Sequence, residues 1–266
     1  MNRRVWQRVP GQRYHSAIVA QAAATLTEMI PDRFYICVGS GQNLNEHITG
    51  ERWPRKDVRN ARLLESVEIM LTLRAGETVT HHGHVVVEDA KLYTRPTTPP
   101  KIIVAAITPE AARWVADWAD GFITVSHPRE QLHKVVDAFR EGGGQGKPMY
   151  IKVQLSYAES DDAARAGAME QWATNVLPSP VLADLALPEQ FDALKPFVTL
   201  PELEPHIRMS ADLQRHIEWL NEDIEMGFET INLHTVNHQH ERFIHDLGEL
   251  VLPELRRDLR RPRDRA

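Results

Sequence analysis

Residues Arg33 to Asn45 read RFYICVGSGQNLN. Phe34 to Val38 is an unbroken apolar and aromatic run of strand length, the pattern of a parallel strand covered on both faces. Gly39 and Gly41 then permit a sharp turn or a close backbone approach to a ligand, because neither carries a Cβ. Gln42 and Asn45 follow just past the carboxyl end of the strand, where α/β folds hold their ligands. Taken alone, Gly-Ser-Gly reads as a tight turn before it reads as a binding loop.

Outward from this stretch, strands and helices alternate. Ser16 to Ile30 predicts an amphipathic helix with Ile18, Ala22, Leu26, Met29 and Ile30 on its inner stripe. Asp57 to Leu73 predicts a second, with Leu63, Leu64, Val67, Met70 and Leu71 inward and Gly76 ending it. HHGHVVVEDAKLYT reads as a small hairpin whose strands flank Glu88 and Asp89. Lys101–Ile107, Asp120–Val125, Met149–Tyr157 and Glu229–His234 read as further buried strands. Helices are expected over Pro109–Trp118, capped by Thr108, and over Arg129–Glu141, Asp161–Thr174, Ala211–Met226 and His240–Leu259. GGGQGKP, from Gly142, reads as a flexible connection, and Val176–Arg208 as a Pro-punctuated, partly helical insertion. A doubtful strand lies near Val5 to Val9. The alternation argues for a parallel sheet covered by helices. Five firm strands are too few for a complete eight-stranded barrel.

The bulk composition narrows the function classes. The chain has 266 residues, 42% hydrophobic and 26% charged, ordinary for a globular protein. A net charge of −6 supplies no global basic field for nucleic acid. No apolar run reaches the length of a membrane span, and MNRRVWQRVPGQRYH has no apolar stretch of the secretory kind. The one cysteine, Cys37, sits in the apolar strand as a small core residue, and a reducing cytoplasm is the default compartment. Arg256 to Ala266 reads as a fraying helix end with a basic, solvated tail.

Several strand ends offer polar residues: GSGQNLN, AAITP, ITVSHP, VQLSYA and LHTVNH. In a barrel all of these loops lie on one face. Ala106-Ile107-Thr108-Pro109 opens a helix whose free N–H groups suit a phosphate, or is simply a capped helix start. His81, His82 and His84, and separately His234, His238 and His240, invite a metal reading that requires convergent imidazoles. No Walker loop, no GxGxxG after a strand and no GxSxG elbow is present.

The runs RYHSAIVAQAAATLTEMIPDRF, GSGQNLNEHITGERWP, NARLLESVEIM, VEDAKLYTRP and AAITPEAARWVADWADGFITV, in that order, resemble the luciferase-like flavin and deazaflavin oxidoreductases. The nearest branch is the one around deazaflavin (coenzyme F420) dependent glucose-6-phosphate dehydrogenase, with its relatives that use an ordinary flavin. The likeness runs from about Pro10 to Leu255. It implies a (β/α)8 TIM barrel of the bacterial luciferase type, with the ring of FMN or F420 across the carboxyl ends of the strands. It places Ser40 and Gly41 beside the ring and Asn45 as a cofactor contact. Ala106, Ile107 and Thr108 match the loop around the cofactor's phosphate, and Thr124 the wall under the ring.

The departures are equally specific. Gln42 stands where the dehydrogenases keep a glutamate proposed as proton donor; a glutamine hydrogen-bonds a carbonyl but supplies no proton. Ile107-Thr108 replaces a Gly-Gly pair, and Pro128, Leu182 and His206 fall where the dehydrogenases place cations for the sugar phosphate. The family's first two βα units, with a catalytic histidine and a tryptophan, have no counterpart, and RRVWQR (Arg3–Arg8) does not resemble the next strand. The expectation is therefore one domain, 1–266, forming an amino-terminally truncated, incomplete barrel with an atypical start (1–9). The expected activity is a flavin- or F420-dependent oxidation or reduction of a small organic substrate other than glucose 6-phosphate, in a cytoplasmic homodimer, with no nucleic-acid or membrane partner. Two alternatives stand beside it: a non-catalytic remnant that binds a ligand or partner, and a metal-dependent barrel hydrolase using His234, His238 and His240.

Overall fold

The structure, a computed structural model, describes the backbone of Arg4–Arg8 and the whole of residues 13–255. Val9 and the tail 256–266 lie outside the described residues. In chain order the first elements are β1 (Arg4–Arg8), α1 (Ser16–Met29), β2 (Phe34–Val38), α2 (Asn43–Glu46) and α3 (Lys56–Ala75). Then come β3 (Val79–His82), β4 (Val86–Ala90), β5 (Lys101–Ala105), α4 (Pro109–Ala116), β6 (Gly121–Val125) and α5 (Arg129–Phe139). β7 (Met149–Ser156), α6 (Asp161–Trp172), α7 (Ser179–Asp184), α8 (Pro188–Leu194) and α9 (Leu200–Leu203) follow. The last are β8 (Arg208–Met209), α10 (Leu213–Glu225), β9 (Thr230–Thr235) and α11 (His240–Asp246). They fall into two compact units. Unit one takes the residues up to Ile123 with Ala138–Lys147 and Ser179–Gln190; unit two takes the rest.

Unit one is built on parallel pairing of β1 with β2, β2 with β5, and β5 with β6. The doubtful amino-terminal strand thus forms, over Arg4–Arg8, and pairs residue for residue with Phe34–Val38. All five residues of β2 are buried, as its unbroken apolar run requires. Phe122 of β6 stacks on Phe139 with ring centroids 4.2 Å apart, and both are fully buried. α1 buries a different stripe from the one its pattern predicted. Val19, Ala20, Ala23, Ala24 and Thr27 face inward, while Ile18 and Met29 are 59% and 71% exposed. Small residues on that face let the helix lie close to α3 and β2, and close approach outweighs side-chain size.

Local rules hold at several helix ends. Thr108 accepts from Ala111 N at 3.2 Å, with Pro109 in the first turn of α4. Gly76 ends α3 at φ 90°, a conformation that costs other residues. The hairpin β3–β4 is antiparallel, but Glu88 and Asp89 lie within β4 rather than between the strands. GGGQGKP does not begin as a free connection: Arg140–Gly144 forms a wide π-helical turn.

In unit two β7 pairs in parallel with β9 along Tyr150–Leu155 and with the two-residue β8 at its carboxyl end. Arg208 of β8 and Asp223 of α10 form a two-pronged ion pair at 2.6 and 2.8 Å, with the aspartate 1% exposed. The alternation of helices with parallel strands is the α/β barrel class expected. The described residues hold seven parallel-paired strands, one fewer than the eight of a closed barrel.

Candidate functional site

In unit one the register of β2 against β5 sets Val38 opposite Val104, so the turns after the two strands emerge side by side. A Cβ on Gly39 would lie 3.3 Å from the Ala105 Cβ, which shows how closely the two strand ends run. Gly41 sits at φ 88°, a conformation L side chains avoid, so this glycine is required by the turn itself.

The turn's side chains are tied down by neighbours. Lys56 Nζ donates to Ser40 Oγ at 2.6 Å, which directs the serine O–H elsewhere as a donor. Loss of hydration and then the charge of Arg59 hold the Lys56 pKa below the usual lysine value. Asn45 Nδ2 donates to Gln42 Oε1 at 3.3 Å, so the Gln42 amide oxygen is engaged within the turn. Four residues after Gln42, Glu46 is buried, accepts Arg13 N at 3.1 Å, and has its pKa raised chiefly by burial. Sequence reading passed over Glu46; its spacing from Gln42 was the available signal.

The AAIT turn is more committed than its residues suggested. Ala106 N already donates to Ile123 O at 3.0 Å. The Thr108 hydroxyl accepts from Ala111 N and also bonds the Glu110 carboxylate, which in turn accepts from its own amide. Those bonds hold the Glu110 pKa down. The opening of α4 therefore carries a carboxylate of its own, which opposes a phosphate there. Ile107 is half-buried beside it.

A third feature of unit one was not predicted. Asp184 Oδ1 accepts from Trp53 Nε1 at 2.8 Å and from Arg59 Nη1 at 3.3 Å, and its carbonyl accepts from Asn43 Nδ2 at 2.9 Å. Arg59 is buried and lies over the Trp53 ring at 4.2 Å. This cluster ties α7, part of the predicted insertion, to the segment just after the GSG turn. A pocket lined by Ala20, Ala23, Ile36, Met70, Arg74 and Ile102 also belongs to unit one, and none of the predicted site residues lines it.

Thr124 belongs to unit two, 2% exposed, with an Oγ1 that has no hydrogen-bond partner among the described residues. Two residues on, Ser126 Oγ donates to Gln154 Oε1 at 2.5 Å. The histidines considered for a metal do not gather. His234 lies edge-on to Trp172, and His238 Nε2 meets Glu170 at 3.1 Å and Gln171 at 2.7 Å. Among the described residues no group of three or more His, Cys, Asp or Glu side chains is placed to hold a metal ion. Cys37 is buried, and burial pushes its thiol up to about 12, so it is no nucleophile.

A family model described as luciferase-like monooxygenase matches residues 8–225. The chain belongs to that family. A relative named F420-dependent glucose-6-phosphate dehydrogenase, from Nakamurella multipartita, is 33% identical over 255 residues, covering 93% of this chain and 75% of the relative. A solved F420-dependent secondary alcohol dehydrogenase, in complex with an F420-acetone adduct, aligns at TM-score 0.82 and 24% identity over 93% of this chain and 77% of that one. The oxygenating constituent of 3,6-diketocamphane monooxygenase from Pseudomonas putida, in complex with FMN, aligns at 0.62 and 14% over 93% and 79%. The two solved structures show the shared luciferase-type barrel fold. The relative is thus named for F420, and of the two structures that share the fold one is solved with an F420 adduct and one with FMN. Among the described residues no helix is long and apolar enough to cross a membrane.

Proposed function

We propose that this chain is a luciferase-like oxidoreductase that moves hydride equivalents through FMN or coenzyme F420, with the ring over Ser40 and Gly41. The observation that carries the reading is the paired exit of β2 and β5, with Gly41 at φ 88° opening the turn to a flat ligand. The bound ring would supply the hydride chemistry. The residues supply position. Ser40, its oxygen engaged by Lys56, offers its O–H, and Gln42, its oxygen engaged by Asn45, offers its amide N–H groups. Both are donors to a carbonyl-type edge, and neither delivers a proton. The expected proton donor at position 42 is therefore replaced by an orienting amide.

The phosphate loop of the reading is Ala106, Ile107 and Thr108, where Ala106 N and the Thr108 hydroxyl are already bonded and Glu110 adds negative charge that a phosphate would have to displace. Thr124 is proposed as a cofactor contact on the resemblance alone. Glucose 6-phosphate is an unsuited substrate on this reading: Pro128, Leu182 and His206 bring no fixed charge, and burial lowers the His206 pKa. A homodimer in a reducing cytoplasm completes the proposal, the compartment resting on a lone buried thiol. Titration of folded protein with FMN and with F420, followed by quenching of cofactor fluorescence, tests it. Saturable one-to-one binding of one of them is expected; folded protein that binds neither would refute the reading.

A further inference from the structure

β7 reads MYIKVQLS, and successive side chains of a strand point to opposite faces. Met149, Ile151, Val153 and Leu155 make one face wholly apolar and buried. Lys152 and Gln154 share the other. In the parallel register Lys152 stands opposite Asn232 and Gln154 opposite His234, so four polar side chains occupy one patch of sheet in unit two. A parallel strand covered on both faces is normally apolar at such positions.

Two members of the patch are satisfied within the chain. Gln154 Oε1 accepts from Ser126 Oγ at 2.5 Å, and Asn232 Nδ2 donates to Ile151 O at 3.5 Å. The other two are not. Lys152 Nζ lies 5.3 Å from the centre of the Trp172 ring, and no carboxylate pairs with it among the described residues. The His234 ring meets Trp172 edge-on, with centroids 4.7 Å apart at 73°. His234 Nδ1 and Trp172 Nε1 are both buried with no hydrogen-bond partner among the described residues. Burial lowers the Lys152 pKa, and burial together with Lys152 brings His234 down to about 4, so the imidazole is neutral. The group therefore holds an ammonium and an indole N–H donor around one aromatic platform, with no carboxylate to receive them among the described residues, beside a neutral imidazole whose Nδ1 is also unpaired. A half-buried ammonium without a counter-ion is less stable than a paired one, and an incoming anion supplies the pairing.

We propose that Lys152, Trp172 and His234 form a subsite for the anionic group of a small organic molecule, a carboxylate or a phosphate monoester, with Lys152 as its counter-ion. Such a group can come from a substrate or from the cofactor. Calorimetric titration of the full chain with benzoate, inorganic phosphate and FMN separates the sources, comparing wild type with Lys152→Met and Lys152→Arg. At least one probe is expected to bind wild type and to lose tenfold or more in Lys152→Met, with Lys152→Arg retaining most of the affinity. Loss confined to benzoate assigns the subsite to a substrate carboxylate; loss of phosphate and FMN together assigns it to the cofactor's phosphate. Lys152→Met removes an uncompensated charge and is expected to melt no lower than wild type, which keeps misfolding from mimicking the result. Equal affinities of wild type and Lys152→Met for every probe, or no binding of any of the three to folded wild type, overturns the subsite. Benzoate binding without FMN or F420 binding would preserve it while removing the oxidoreductase reading.

Discussion

The GSG turn of unit one and the β7–β9 face of unit two are both polar patches on a parallel-stranded scaffold, and they differ in who satisfies them. At the turn, Ser40 is held by Lys56, Gln42 by Asn45, and Thr108 by Ala111 and Glu110. On the β7–β9 face, Trp172 Nε1 and His234 Nδ1 are buried without a hydrogen-bond partner and Lys152 has no paired carboxylate among the described residues. A patch satisfied internally can orient a ligand but loses little when the ligand is absent. A patch with unanswered buried donors holds free energy that only a partner releases.

The comparison is most sharply broken or upheld by charge. Asp223 is buried against Arg208, and Asp223→Ala strands the guanidinium, which is expected to destabilise the protein by about 3–5 kcal/mol. Lys152→Met, which also deletes a charge from unit two, is expected to cost nothing in stability. Urea denaturation of both variants decides this. Equal destabilisation would mean that Lys152 has a counter-ion after all, and the contrast between answered and unanswered charges would collapse.

Gly41 gives the next effect in size. At φ 88° a valine is strained by roughly 1–3 kcal/mol, so Gly41→Val should lower the denaturation midpoint and weaken flavin binding together. A loss of stability with flavin affinity intact would detach the turn from the cofactor.

These residues also show what the sequence discloses. Gly41, Gly76 and the Thr108 cap were legible because each obeys a rule confined to a few neighbouring positions. The buried run of β2 was legible because a strand covered on both faces needs no alternation. The inner stripe of α1 was misread: large residues suggested Ile18 and Met29, whereas the closeness of α3 and β2 selected the alanines. The Arg4–Arg8 strand was underrated because RRVWQR does not resemble the strand the family has there, while strand formation is settled by backbone pairing with β2. Lys152 lay in plain sight inside an apolar strand. Its meaning depends on Trp172 and His234, distant in sequence, and on which donors they leave unpaired; no local pattern encodes that.

His234 tests the same face through pH. Its folded value of about 4 lies below the ordinary 6.5, so the unfolded chain binds the proton more readily. Stability from this group is fully present above about pH 6.5 and is lost as pH falls toward 4, by on the order of 1 kcal/mol once solvent screening of a half-exposed ring is allowed for. His234→Phe should flatten that part of the stability profile and leave the high-pH plateau. An unchanged slope would show that the imidazole is not held neutral, and that the face is less dry than its unpaired donors imply.

The smallest effect is expected at Lys56, and it bears on the other half of the comparison. Lys56 lies at the surface with its ammonium partly shielded where it bonds Ser40 Oγ, so Lys56→Met should change stability by no more than about 0.5 kcal/mol. Ser40 then loses its fixed donor, its hydroxyl rotates freely, and FMN or F420 affinity should drop by less than tenfold, because one neutral hydrogen bond is worth about 1 kcal/mol. A larger drop would mean that the Lys56 ammonium meets the cofactor itself. The turn would then hold an unanswered cation in waiting, as the β7–β9 face does, and the two patches would share one strategy.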